Sequence, residues 1–240
     1  MRKSIAATLL AASAATGACN RQHEDARATV SRNYQVGNFQ EIVSEGPYDI
    51  SVKTGANPSV SARGPERVVD NIAVEVNGDK LMVRTKDHGF FNWSWGSHER
   101  TILTVTVPQL RAATLAGSGD LSVNSVSGDS FAASLAGSGD LTVGTVNLKS
   151  LKLTLAGSGD AKIAGGQAQS ADYNTVGAGD IDSGGVIAQE LKISIAGSGD
   201  VGARATGTAE VSIMGSGDVT VTGGAKCSVS KMGSGDVHCS

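Results

Sequence analysis

Aromatic side chains are scarce in this sequence, only 4% of its 240 residues. Glycine is plentiful, with 32 residues against a usual share of about 7%. Few large rings and much glycine exclude a thick globular core and suit a thin one, layered from small aliphatic side chains. An excess of positive charge is missing too. The net charge of −3 lacks the basic footprint of a nucleic-acid binder and is too small for a solvating acidic tail. Long apolar runs are absent: Ile5 to Ala15 is the main candidate, and it is too short to cross a bilayer as a helix. There is no nucleophile elbow, P-loop, HExxH pair or CxxC pair. The segments between turn motifs are too short for crossover helices, which excludes a doubly wound α/β sheet.

What is present begins with a targeting segment. Arg2 and Lys3 supply a positive start and Ile5 to Ala15 an apolar stretch. Thr16-Gly17-Ala18-Cys19 then places small residues before a cysteine. This resembles a bacterial lipoprotein signal with Cys19 as the lipidated first residue, although Thr16 stands where Leu is usual. Plain signal-peptidase cleavage is the other reading. Either way residues 1–19 are expected to direct export, and a lipid on Cys19 would anchor the chain without making it integral. The expected location is the cell envelope, at the outer membrane. Residues 20–35 are polar and aperiodic, and they read as a flexible tether. With Cys19 set aside, Cys227 and Cys239 remain as a pair. They form either a disulfide, which export favours, or two small buried residues.

The internal repeat decides the architecture. Gly-Ser-Gly-Asp starts at Gly117, Gly137, Gly157, Gly197, Gly215 and Gly233, with Gly-Ala-Gly-Asp at Gly177. The spacings are 20, 20, 20, 20, 18 and 18 residues. The turn acids are Asp120, Asp140, Asp160, Asp180, Asp200, Asp218 and Asp236. Counting from each Asp, apolar residues recur five and seven positions earlier and one and three positions later; Leu153, Leu155, Ala161 and Ile163 are one such set around Asp160. Six positions earlier stand Thr114, Ser134, Thr154, Asn174, Ser194, Ser212 and Ser230. This period-two alternation marks strands with one buried face. Each repeat holds a strand, a glycine corner and a second strand, and like columns stack on like columns. The expected fold is all-β, a single-stranded parallel β-helix of 18–20-residue coils, right-handed by the crossover rule. Seven coils about 4.8 Å apart would make a rod section of about 34 Å.

Glycine tolerates the positive φ of a sharp corner. The Asp carboxylate is expected to accept nearby backbone N–H groups in an Asx-type turn. Stacked carboxylates about 5 Å apart repel, so each needs backbone donors, solvent or a cation. In one coil Tyr173, Thr175 and Ser183 interrupt the apolar columns, either as a groove or as a tolerated layer. Beyond the last turn the final coil has no evident cap; a Cys227–Cys239 bridge or end-to-end pairing would cover it.

Residues 36–110 read as further coils with a capping hairpin, signalled by Asn77-Gly78-Asp79 between Val74-Glu75-Val76 and Leu81-Met82-Val83. Terminal coils need such caps because bare strand edges invite pairing. One loop, His88 to His98, holds both tryptophans and two of the four phenylalanines. Phe90, Phe91, Trp93 and Trp95 form either a recognition tip for glycan, polymer or partner protein, or a plug on the solenoid end. The two histidines have no third ligand nearby, so no metal is expected, and no other cofactor is indicated.

The Phe39-Gln40-Glu41-Ile42 opening, the Val74–Val83 hairpin, the Val105-Thr106-Val107-Pro108-Gln109-Leu110 strand and the turns after it resemble the family described as putative auto-transporter adhesin, head GIN domain. The resemblance spans residues 36–239, of which 111–239 carry the repeats. It implies a β-helical, envelope-associated bacterial protein and transfers no catalytic residue. Three functions follow for weighing. The first is an adhesive or polymer-binding surface module, with glycan, envelope polymer or surface protein as partner. The second is a calcium-stabilised scaffold, because Gly-rich Asp turns bind Ca²⁺ in nonapeptide β-rolls; here the Asp follows Gly directly and the spacing differs. The third is a polysaccharide-active enzyme, which the regular Asp ladder disfavours, since no neighbour sets one carboxylate apart from another. Arg111, Lys152, Lys162, Lys192 and Arg204 are scattered among the coils. Oligomeric state is left open.

Overall fold

The computed structural model describes residues 29–86 and 100–240. Cys19 and the aromatic residues Phe90, Phe91, Trp93 and Trp95 lie outside the described residues.

The body of the molecule is a β-solenoid of about six turns with about 20 residues per turn. The seven repeat corners bound six complete turns, one fewer than the seven coils expected from counting the corners. Its long strands are β9 (Leu121–Gly137), β10 (Leu141–Gly157), β11 (Ala161–Gly177), β12 (Ile181–Gly197) and β13 (Val201–Gly215), and each runs from one Asp corner to the next. They follow a short β8 (Ala112–Gly117) and lead to β14 (Val219–Thr222), β15 (Lys226–Gly233) and β16 (Val237–Cys239). Neighbours pair in parallel, and β9, β10 and β11 stay in one register throughout: Leu121, Leu141 and Ala161 align, as do Leu135, Leu155 and Thr175.

The alternation of buried and exposed residues slips twice per coil. In β10 the buried set is Leu141, Val143, Val146, Leu148, Leu151, Leu153 and Leu155. The slips after Val143 and Leu148 are bends, so each coil encloses a narrow core on several sides. Each of these leucines contributes about 1.5–3 kcal/mol by leaving water. Tyr173, Thr175 and Ser183 are buried with the aliphatic columns; they make a tolerated layer and no groove. The Tyr173 hydroxyl bonds to the Ser183 side chain, whose Oγ donates to the Gly202 carbonyl at 3.1 Å.

The N-terminal coils are assembled out of chain order. β1 (Thr29–Tyr34), β2 (Glu41–Glu45), β3 (Asp49–Thr54) and β4 (Ser59–Pro65) precede a short helix α1 (Glu66–Asp70), and β5 (Ile72–Asn77), β6 (Lys80–Thr85) and β7 (Ile102–Val107) follow it. The β2–β3 coil lies between two others: β6 and β8 flank β2, while β7 and β9 flank β3, all in parallel. Antiparallel strands finish the end, with β5 on β6 as the expected hairpin, β4 on β7, and β1 on β4. The tether expected over residues 20–35 is corrected here, because Thr29–Tyr34 is a paired strand. It escaped notice because an outer edge strand is held by backbone bonds and shows little burial alternation. At the other end the last coil is open: Val229 and Met232 are 48% and 69% exposed. Cys227 and Cys239 are joined there by a disulfide, with 6.7 Å between their Cα atoms.

Candidate functional site

The seven turn acids form one continuous ladder, and its chemistry differs from the local Asx turn expected. Each carboxylate up to Asp218 accepts the backbone N–H of the Asp one coil along: Asp140 N–H donates to Asp120 Oδ1 at 3.1 Å, Asp180 to Asp160 at 2.9 Å, Asp218 to Asp200 at 2.7 Å. In the opposite direction the N–H after each Asp donates to the next Asp carbonyl, as Leu141 does to Asp160 at 2.8 Å. Stacking wins over local turn closure because the next coil places an N–H beside each carboxylate. The donors and the surrounding water offset the repulsion between like charges.

Stacking also dictates the glycines. Gly137 has φ +138°, a conformation that L side chains rarely adopt. Gly139 is required for space, since a Cβ there would collide with the Gly119 carbonyl of the preceding coil.

The ladder has an eighth rung outside the Gly-Ser-Gly-Asp series. Asp120 N–H donates to Asp49 Oδ1 at 3.1 Å, and Gly46-Pro47-Tyr48-Asp49 forms a corner with Gly46 at φ +140°. The signal was present: Ile42, Ser44, Ile50 and Val52 stand at the same offsets from Asp49 as the core columns of the repeats. Pro47 and Tyr48 disguised it.

Beyond this corner the pattern changes. Glu45 aligns with Arg84 and Asp49 with Ile102, so residues 85–101 connect two strands that Gly46, Pro47 and Tyr48 connect in the neighbouring coil. That connection contains the aromatic loop, and both its feet are tied down. Upstream, Thr85 Oγ1 shares a hydrogen bond of 2.7 Å with the Tyr48 hydroxyl, and Lys86 Nζ donates to the Asp70 carbonyl at 2.6 Å. Downstream, Asp49 N–H donates to the Thr101 carbonyl at 3.0 Å. The Arg100 guanidinium sits 3.7 Å from Asp49 and 3.5 Å from Asp120. Burial pushes the Tyr48 hydroxyl above its ordinary pKa, opposed by its bond to Thr85. At the far end of the ladder Lys231 Nζ reaches Asp236 Oδ1 at 3.3 Å.

Elsewhere among the described residues, two carboxyls are displaced from their ordinary range, both downward. Hydrogen bonds from Lys149 and Lys162 hold Asp129 and Asp182 in the charged form. Among the described residues no three His, Cys, Asp or Glu side chains gather closely enough to hold a metal. No helix among them is long and apolar enough to cross a membrane.

The fold is shared with solved bacterial structures. A protein described as a putative adhesin from Bacteroides fragilis is 23% identical with TM-score 0.79, covering 89% of this chain and 98% of that one. A second described as a putative adhesin, from Parabacteroides distasonis, is 20% identical with TM-score 0.70, over 89% and 97% of the two chains. A third from Parabacteroides distasonis, described as a putative lipid binding protein, is 23% identical with TM-score 0.68, over 88% and 96%. No curated protein matches the chain. The family model described as putative auto-transporter adhesin, head GIN domain, matches residues 38–225, from just before β2 to the start of the last coil, and the chain therefore belongs to the head GIN domain family.

Proposed function

We propose that this chain is a non-catalytic surface module of the bacterial cell envelope, in which a stiff solenoid presents an aromatic binding loop at its N-terminal corner. The observation that carries the reading is that the chain is tied to the ladder's corner at Asp49 on both sides of residues 87–99, through Thr85 before them and Arg100 after them. Recognition loops work best on such rigid bases. Phe90, Phe91, Trp93 and Trp95 supply the contact groups, and the partner class is a glycan, an envelope polymer or a surface protein. The adhesin descriptions of two structural relatives point the same way. The alternative role for the loop, a plug on the solenoid end, has less support, because α1, β1, β4 and β5 already occupy that end. Residues 1–19 act as the export signal and Cys19 as the lipid anchor.

A calcium scaffold is the weaker reading, since the Oδ1 atom of each rung up to Asp218 is taken by a backbone N–H and cations of this kind need several oxygens around one point. Catalysis on polysaccharide needs one carboxyl held protonated near neutral pH; the displaced ones, Asp129 and Asp182, are pushed the other way.

The test is binding of the protein from Asn20 onward to an array of glycans and envelope polymers, beside a Trp93→Ala/Trp95→Ala variant. Binding that disappears in the variant at unchanged Tm supports the reading. Binding that the variant retains moves the site off the loop, and an array empty for both forms overturns the adhesive role.

A further inference from the structure

A groove of about 590 Å³ runs along the solenoid at one bend of the coils, from β9 to β13. That volume lies within the range of ligand sites, about 300–1,000 Å³. Two rows of side chains line it at coil spacing, Asn147, Gln167 and Ile187 in one, Lys149, Gln169 and Gln189 in the other. Within the first row Gln167 Nε2 donates to Asn147 Oδ1 at 3.0 Å. That bond leaves the Gln167 carbonyl oxygen and the Asn147 amide donors without a side-chain partner among the described residues. Gln169 and Gln189 likewise have no side-chain hydrogen bond among the described residues. Lys149 is neutralised by Asp129 at 2.7 Å, so the lining carries no net charge.

The groove's lining ends where the repeat shortens. Between Asp200 and Asp218 a coil has 18 residues instead of 20. The register of β12 against β13 slips between Asp182 and Ile187 and again between Ala188 and Glu190. The shorter coil leaves Ile187 43% exposed among the amides, and Thr206 Oγ1 donates to the Ala188 carbonyl at 3.3 Å, closing the step. The neighbouring groove, of about 640 Å³, differs in character, being lined by Asp172, Glu190, Lys192, Glu210 and Lys226.

Neutral amides offering both donors and acceptors, around one apolar spot, suit a ligand with hydroxyl edges and C–H faces and no charge. The rows repeat every ~4.8 Å, close to the advance per sugar of an extended β-linked chain, whereas an α-linked chain coils away. We propose that the groove of Asn147, Gln167, Gln169, Gln189 and Ile187 binds a neutral, extended, β-linked glycan lying along the solenoid axis. The proposal deepens the surface-binding reading and rests on it only in placing the protein where such polymers occur.

Calorimetric titration of the exported protein with cellohexaose and chitohexaose, with maltohexaose as the α-linked control, tests this. At least one β-linked probe binds and maltohexaose does not. A Gln169→Ala/Gln189→Ala variant binds about tenfold more weakly, for the loss of two hydrogen bonds, with Tm unchanged because both side chains are exposed. Lys192→Ala/Glu210→Ala, in the neighbouring charged groove, binds these probes as the parent does. Silence with both β-linked probes, equal binding of maltohexaose, or full binding by the glutamine variant overturns the proposal. Loss in the tryptophan variant alone also overturns it while sustaining the loop as the recognition site. Retention of array binding in the tryptophan variant, with loss in the glutamine variant, sinks the loop and keeps the groove.

Discussion

The body of the solenoid and its N-terminal coils build the same corner under different constraints. From β9 to β13 every corner is Gly-Ser-Gly-Asp or Gly-Ala-Gly-Asp, and every strand pairs with its counterpart in the next repeat. At the N-terminal end the corner is Gly46-Pro47-Tyr48-Asp49, and β2 pairs with the distant β6 and β8. The contrast explains the residue choice. In the body a carbonyl of the preceding coil stands against the third corner residue, so only glycine fits there. On the outer side the connection of the next coil, residues 85–101, carries no Gly-Ser-Gly-Asp sequence, and a buried tyrosine is accommodated at position 48. The stacked neighbour, more than the turn itself, selects the second glycine.

The largest effect should come from violating that constraint. Gly139→Ala is expected to lose more than about 3 kcal/mol in denaturant unfolding, as overpacking against backbone with no room to yield. Gly37→Ala, with open space around its position, should stay within about 0.5 kcal/mol. Similar losses at both positions would break the comparison, because they would make glycine flexibility the common cause.

The buried layer of the body should show itself in alkali. Burial pushes the Tyr173 hydroxyl up to about 12, with its bond to Ser183 opposing. The folded state therefore holds this proton more tightly than the unfolded chain, whose tyrosine titrates near 10. The stability it contributes is complete below pH 10 and drains away as pH rises toward 12, by about 3 kcal/mol in all. Tyr173→Phe should flatten that limb of the stability–pH curve. An unchanged limb would mean that the layer opens to solvent.

Much of the fold was legible because repetition amplifies weak signals. One coil with Thr175, Tyr173 and Ser183 in its columns would not identify a strand, but its neighbours at the same spacing do. The Asn77-Gly78-Asp79 hairpin was legible from local turn chemistry alone, and Gly78 has φ +62°. The interleaving of β2 between β6 and β8 was not, since nothing in either segment encodes a partner so far along the chain. β1 was hidden because its pairing with β4 is a backbone affair. The corner at Asp49 was recoverable from its flanking columns. Arg100 was not, because its partners Asp49 and Asp120 meet only after the coils stack. The groove at Ile187 was half visible: the change in spacing from 20 to 18 residues stands in the sequence, but which bend loses residues is settled by packing.

The central claim is that the corners are stitched from coil to coil by their Asp residues. Amide hydrogen exchange at Asp140, Asp160, Asp180 and Asp200 tests it most directly, in the parent and in Asp160→Ala. The account predicts exchange at all four as slow as in the flanking core strands, with Asp180 alone accelerated by the variant, since its N–H loses the Asp160 acceptor. Fast exchange at every corner in the parent, or an Asp180 amide indifferent to Asp160→Ala, would contradict it.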